Sequence, residues 1–145
     1  MKRFVRLACL ILSFVMIFAI HANAVENTAR GSDYFGMRSC YLWKTSSTQF
    51  QVWFDVTAMS GMDELGASTI IVQRSADGED WENMQTYRKA NYSNMICEDT
   101  ARHASYVTYS GAETGYYYRA YVCFYAKKGN GTAEYISYTS GITMP

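Results

Sequence analysis

The chain has 145 residues, 49% hydrophobic and 16% aromatic, and its thirteen basic and thirteen acidic side chains cancel. A balanced chain without a basic cluster is a poor match for nucleic acid. Its length suits one domain, not several.

The N-terminus sets the compartment. Lys2, Arg3 and Arg6 precede a 14-residue run, residues 7–20, that is apolar except for Ser13. Ala22-Asn23-Ala24 follows as a small-x-small cleavage site, so residues 1–24 are expected to be a secretory signal-peptide helix removed after Ala24. The run is short of the roughly 20 apolar residues a membrane span needs, so no membrane is expected once the signal is cleaved. Cys9 sits at the start of that run, not after it, which argues against lipoprotein processing. Cleavage leaves 121 residues with ten basic and thirteen acidic side chains, a net charge of −3. All thirteen tyrosines and all three tryptophans remain, while only Leu42 and Leu65 are left among the leucines. Such a composition suits pleated surfaces, not helices.

Residues 25–33 form a polar, unpatterned tail, and 34–145 a single domain. A first, poorly patterned strand is expected over 38–44. Phe50, Val52, Phe54 and Val56 alternate with Gln51, Trp53, Asp55 and Thr57, the period of a half-buried strand. Residues 58–66 carry two glycines and are expected to form a loop, with one helical turn at 62–65. Strands follow at 69–74 and 81–88, joined by a turn with Asp77-Gly78 at its tip. Residues 89–103 are the longest irregular piece, with a short strand around 92–96 as one option. A strand at 105–110 and a loop at 111–115 lead into the most regular stretch. There Tyr116, Tyr118, Ala120, Val122, Phe124 and Ala126 alternate with Tyr117, Arg119, Tyr121, Cys123, Tyr125 and Lys127. The first set is the inward face and the second the outward face. Lys128-Gly129-Asn130-Gly131 closes a hairpin onto a last strand at 133–140. Seven strands at this spacing predict an all-β, antiparallel, two-sheet sandwich.

The pattern Tyr118-x-Ala120-x-Val122-x-Phe124-x-Ala126, late in seven strands, resembles the penultimate strand of fibronectin type III and immunoglobulin-like domains. That resemblance implies a corner tyrosine whose hydroxyl bonds to backbone upstream. Tyr116 and Tyr118 both suit the role, with Tyr118 preferred. The chain also resembles small secreted proteins of Gram-positive, Clostridia-like bacteria that form a domain-of-unknown-function family. The segments carrying it are MDELGASTI at 62–70, Q-x-S-x-D-G-x-x-W at 73–81, Tyr87, YSNM at 92–95, SYVTYSG at 105–111 and YRAYVCFYA at 118–126. The likeness implies a secreted protein and no particular activity.

Groups fit for catalysis are sparse. His103 is the one histidine beyond the signal, in a polar region without a G-x-S-x-G motif, so neither a serine triad nor a multi-histidine zinc site is expected. Asp77, Glu79, Asp80 and Glu82 crowd into one solvated turn that offers no cleft to separate two carboxyl pKa values. This Ser75–Trp81 turn resembles the Asp-box of sialidase-like propellers, S-x-D-x-G-x-x-W, except that Asp77 and Gly78 are adjacent. Its expected job is structural, with Asp77 and Gly78 forming the turn and Trp81 packing beneath it over the open end of the core. A calcium site there lacks a regular ligand spacing. Three cysteines remain after cleavage, Cys40, Cys97 and Cys123, an odd number without a C-x-x-C motif. At most one bridge is expected, with Cys97, in the long crossing segment, the first choice of partner for Cys123, and three unbridged thiols are the alternative.

The outward set Tyr117, Arg119, Tyr121 and Tyr125, with Tyr135 or Tyr138 beside it, is the candidate binding face. Tyrosine there is equally the ordinary choice for cross-strand pairing. The reading is therefore a secreted, non-enzymatic binding module that meets an unidentified protein or glycan at the cell exterior. Its alternative is a carbohydrate-binding module using the tyrosine face. No cofactor or metal is expected. Intact-mass analysis of the secreted protein should give a chain beginning at Val25; a product retaining residues 1–24 would reverse the localisation.

Overall fold

The computed structural model describes residues 33–145, so the signal segment 1–24 and nearly all of the 25–33 tail lie outside the described residues. Those residues are all-β, with no α-helix among them. The seven strands are β1 (Phe35–Lys44), β2 (Gln49–Ser75), β3 (Glu82–Arg88), β4 (Ile96–Ser110), β5 (Tyr117–Lys128), β6 (Gly131–Tyr138) and β7 (Ile142–Thr143). A single 3-10 turn at Ser93–Met95 precedes β4, where a short strand was one option.

All seven strands belong to one antiparallel sheet, because the 27-residue β2 runs through the whole of it. Its first part pairs with β1 on one side and the end of β4 on the other, as in Phe54↔Cys40 and Phe54↔Ser105. Its second part pairs with β5 on one side, and with β3 and the start of β4 on the other. The sheet curls between these parts. Phe50 opens β2 and Tyr118 pairs with Arg74 near its end, yet their rings lie 5.4 Å apart. The alternation read from the sequence is the burial pattern: Phe50, Val52, Phe54 and Val56 point inward, as do Tyr118, Ala120, Val122, Phe124 and Ala126. Each fully buried side chain of this kind stabilises the fold by roughly 1.5–3 kcal/mol.

The expected loop at 58–66, with its helical turn at 62–65, is strand instead. Met62, Leu65 and Ala67 are buried there, and Leu65 pairs with both Cys97 and Ala126. The bend that curls the sheet is absorbed by irregular pairing, with register slips between Thr57 and Met62 and between Ala67 and Thr69. Asp99, at φ 49°, marks the matching irregularity on β4. His103 accordingly lies in β4 and not in a loop.

Gly66 explains why the strand tolerates this path. A Cβ on Gly66 would stand 2.0 Å from the Met95 carbonyl oxygen, so only a residue without a side chain fits. Gly61, in the same segment, has open space around it. Gly66→Ala should therefore cost at least about 2 kcal/mol in denaturant melts, from forced displacement of the Met95 backbone. Gly61→Ala should stay within about 0.5 kcal/mol of wild type. Equal effects of the two substitutions would show that close approach is not the constraint.

Candidate functional site

The outward face of β5 is built and largely occupied. The Arg119 guanidinium lies 4.1 Å from the Trp81 ring and 4.8 Å from the Tyr138 ring, while its Nε donates to Gln73 at 2.8 Å. Tyr138 meets Tyr121 edge-on at 5.6 Å. The Lys89 ammonium sits 3.5 Å over the Tyr125 ring and bonds Glu64 at 2.9 Å. Glu64 also takes Lys127 at 3.1 Å, and hydrogen bonds from these two lysines hold its carboxyl below the usual range. Of the four candidate residues, Tyr117 alone is exposed, and Arg119 and Tyr125 are engaged by groups of their own chain. Cation–π contacts of this type contribute roughly 0.5–1 kcal/mol each at exposed sites.

Trp81 belongs to this face. It does not cover the open end of the core: it is half-buried, with its ring against Arg119. The core end is closed by Tyr118, whose hydroxyl accepts the Glu113 backbone N–H at 2.8 Å and whose ring packs beside Phe50 and Tyr109.

The turn at Asp77-Gly78 is a closed set of bonds. Asp77 Oδ1 accepts the N–H groups of Glu79 at 2.9 Å and Asp80 at 3.0 Å, and the Ser75 hydroxyl at 2.8 Å. Ser75 Oγ in turn accepts the Gly78 N–H at 2.8 Å, with Gly78 at φ 84°. These donors, Glu79 and Asp80 first, lower the Asp77 carboxyl to about 2. Among the described residues no three His, Cys, Asp or Glu side chains gather as a metal site.

The pairing of Cys97 with Cys123 is corrected by the topology. All three described cysteines are free thiols. Cys97 pairs with Leu65 on one side of β2, and Cys123 with Thr69 on the other. Two strand spacings, about 9–10 Å, and the four residues from Leu65 to Thr69, about 13 Å along β2, then separate them, beyond the roughly 7 Å that a disulfide bridges. Cys123 is also covered, at 5% exposure, despite its place in the outward set. Burial pushes its thiol pKa up, as it does for Cys40. His103 is engaged as well, its Nε2 donating to the Asn94 carbonyl at 2.9 Å and its ring edge-on to Phe54.

A second exposed aromatic surface lies on β1, the first part of β2 and the end of β4. Tyr41 of β1, Trp53 of β2 and Tyr106 of β4 are in direct register and form a row of three rings across three strands. Tyr41 and Trp53 are parallel to within 2° at 6.2 Å, and Trp53 and Tyr106 lie 4.6 Å apart. Trp43 projects one row along, opposite Gln51, and Gln51 Oε1 accepts the Trp53 indole N–H at 2.9 Å. Trp43 is 61% exposed, Tyr41 48% and Tyr106 39%. On the far side of the row Arg102 bonds Asp55 through two nitrogens, at 3.1 and 2.7 Å. No cation of the described residues is seated on any of these four rings, unlike Trp81, Tyr125 and Tyr138 around β5.

Sequence reasoning passed over this row. Trp53 stood out only as a tryptophan on the polar side of its strand, and β1 was poorly patterned. The outward parity of Gln51, Trp53 and Asp55 was the available signal, but the alignment of Tyr41 and Tyr106 with it depends on strand pairing. No protein-family model and no curated protein matches the chain.

The turn yields a pH prediction. Because the Asp77 pKa is depressed on folding, its contribution is fully present above the ordinary carboxyl value of 3.8 and is lost as pH falls through about 2. The stability difference between wild type and Asp77→Asn should hold constant above that window and shrink within it. A difference that grows on acidification would contradict the bonding just described.

Proposed function

We propose that the chain is a secreted, non-catalytic binding module of the cell exterior, and that its contact surface is the Tyr41–Trp53–Tyr106 row with Trp43. The observation that carries the reading is the contrast between the two aromatic faces. Around β5, Arg119 sits on the Trp81 and Tyr138 rings and Lys89 on the Tyr125 ring, whereas no cation of the described residues sits on the rings of the row. Large, rigid, amphipathic rings lose little conformational freedom on binding and are the usual anchors of recognition surfaces.

The finer architecture that accompanies this reading is a two-sheet, fibronectin III-like sandwich. In it the first part of β2 with β1 and the end of β4 faces the second part with β3, β5 and β6. Support comes from the Phe50–Tyr109–Tyr118 cluster between the two parts and from the Tyr118 hydroxyl bond to upstream backbone. Absence of catalysis is supported by the engagement of the titratable side chains: His103 on a backbone carbonyl, Asp55 on Arg102, Asp77 in its turn and Glu64 on two lysines. The family resemblance and the signal-like N-terminus support export from a Gram-positive bacterium.

The test uses labelled, processed protein on intact Gram-positive cells. Wild type should associate with the surface, and Tyr106→Ala and Tyr41→Ala should weaken association by about tenfold, as removal of an interface anchor does. Tyr138→Ala, on the opposite face, should retain it. No association, or association indifferent to Tyr41 and Tyr106, would overturn the reading.

A further inference from the structure

We infer that the Tyr41–Trp53–Tyr106 row receives the pyranose rings of a neutral polysaccharide chain, an assignment that rests on the binding-module reading and names its ligand class. The row sits in a grid fixed by pairing. On one side of it lie Gln51 and Thr108 beside Trp43, and on the other Ser39 and Asp55 beside Ala104, with the Arg102 side chain reaching Asp55 from the next row. An aromatic stripe is thus bordered on both sides by hydrogen-bonding side chains. A pyranose ring has the same layout, with C–H groups on its faces and hydroxyls around its rim. Aromatic faces carry negative charge density and attract the positive C–H hydrogens, while the flanking groups meet the hydroxyls.

Two further observations narrow the class. The row crosses two strand spacings, about 10 Å, which exceeds one sugar ring and suits a chain of them. Charge complementarity selects a neutral ligand: the only charged residues in these outward rows are Asp55 and Arg102, and they neutralise each other through two hydrogen bonds. A polyanion has no free cation there to meet, and a chain of net charge −3 does not attract one over distance.

Electrophoresis of the processed protein through native gels containing xylan, galactomannan, mixed-linkage β-glucan or amylose tests the assignment, with heparin as the polyanion. At least one neutral polysaccharide should retard wild type and quench its tryptophan emission. Tyr106→Ala should raise the apparent Kd by about tenfold, in line with loss of one aromatic contact, and Tyr138→Ala should leave it unchanged. Because Trp53→Ala removes the middle of the row and risks the fold, Trp53→Phe serves as the second variant, with circular dichroism confirming its sheet. Retardation by heparin alone, retardation indifferent to Tyr106, or none in any neutral gel would overturn the assignment. If cells still bind through Tyr41 and Tyr106 while every neutral gel is silent, the module reading stands and its ligand is a protein.

Discussion

Passage of β2 beneath the Met95 carbonyl is the constraint on which the rest of the structure depends. A 27-residue strand cannot remain straight and still bury both of its ends in one core. It has to curl, and the curl falls where Leu65, Gly66 and Ala67 are all buried and the register with β4 and β5 slips. Gly66 permits backbone to approach backbone there, since any Cβ would strike the Met95 oxygen. Phe50 meets Tyr118 only because of that bend, so core packing on both sides of the sheet descends from one residue lacking a side chain.

What the sequence made legible was the part governed by local period. Alternation at 50–56 and 118–126 identified the inward residues, since a strand with one solvated face writes its burial into parity. Glycines were less transparent. Gly61 and Gly66 carry the same signature as loop glycines, yet one sits in open space within a bulged strand and the other at a backbone contact. Trp81 misled for a related reason. A tryptophan after a tight turn suits either a core end or an outer face, and the choice was made by Arg119, distant in sequence and adjacent in the sheet. The aromatic row was the least legible feature, because Tyr41, Trp53 and Tyr106 become neighbours only through two separate ladders.

The two aromatic faces show why residue type alone does not locate a binding surface. Both are rich in tyrosine and tryptophan, and both project from antiparallel strands. Around β5, cations held by Gln73 and Glu64 are carried onto the rings, so the π faces are satisfied within the chain. On the β1–β2–β4 face the single nearby cation, Arg102, is drawn instead to Asp55. Counter-ion placement, more than aromatic content, distinguishes the two surfaces here.

Tyr41 and Trp43 sit on an edge strand, and β1 is held by a ladder on one side and by side-chain contacts of its inward set. Its ladder with β2 runs from Phe35↔Ala58 to Lys44↔Phe50. Its other side faces β6 without a ladder, and the seam is closed by side chains. The Arg38 guanidinium lies 3.9 Å over the Tyr135 ring. Arg38, Cys40 and the half-buried Leu42 share one parity; Ser39, Tyr41 and Trp43 share the other. The inward set fastens the strand to the curled sheet, and that leaves the outward set fixed in place. Fixing the rings beforehand reduces the ordering cost of binding. The same residues that complete the curl therefore preorganise the surface it presents.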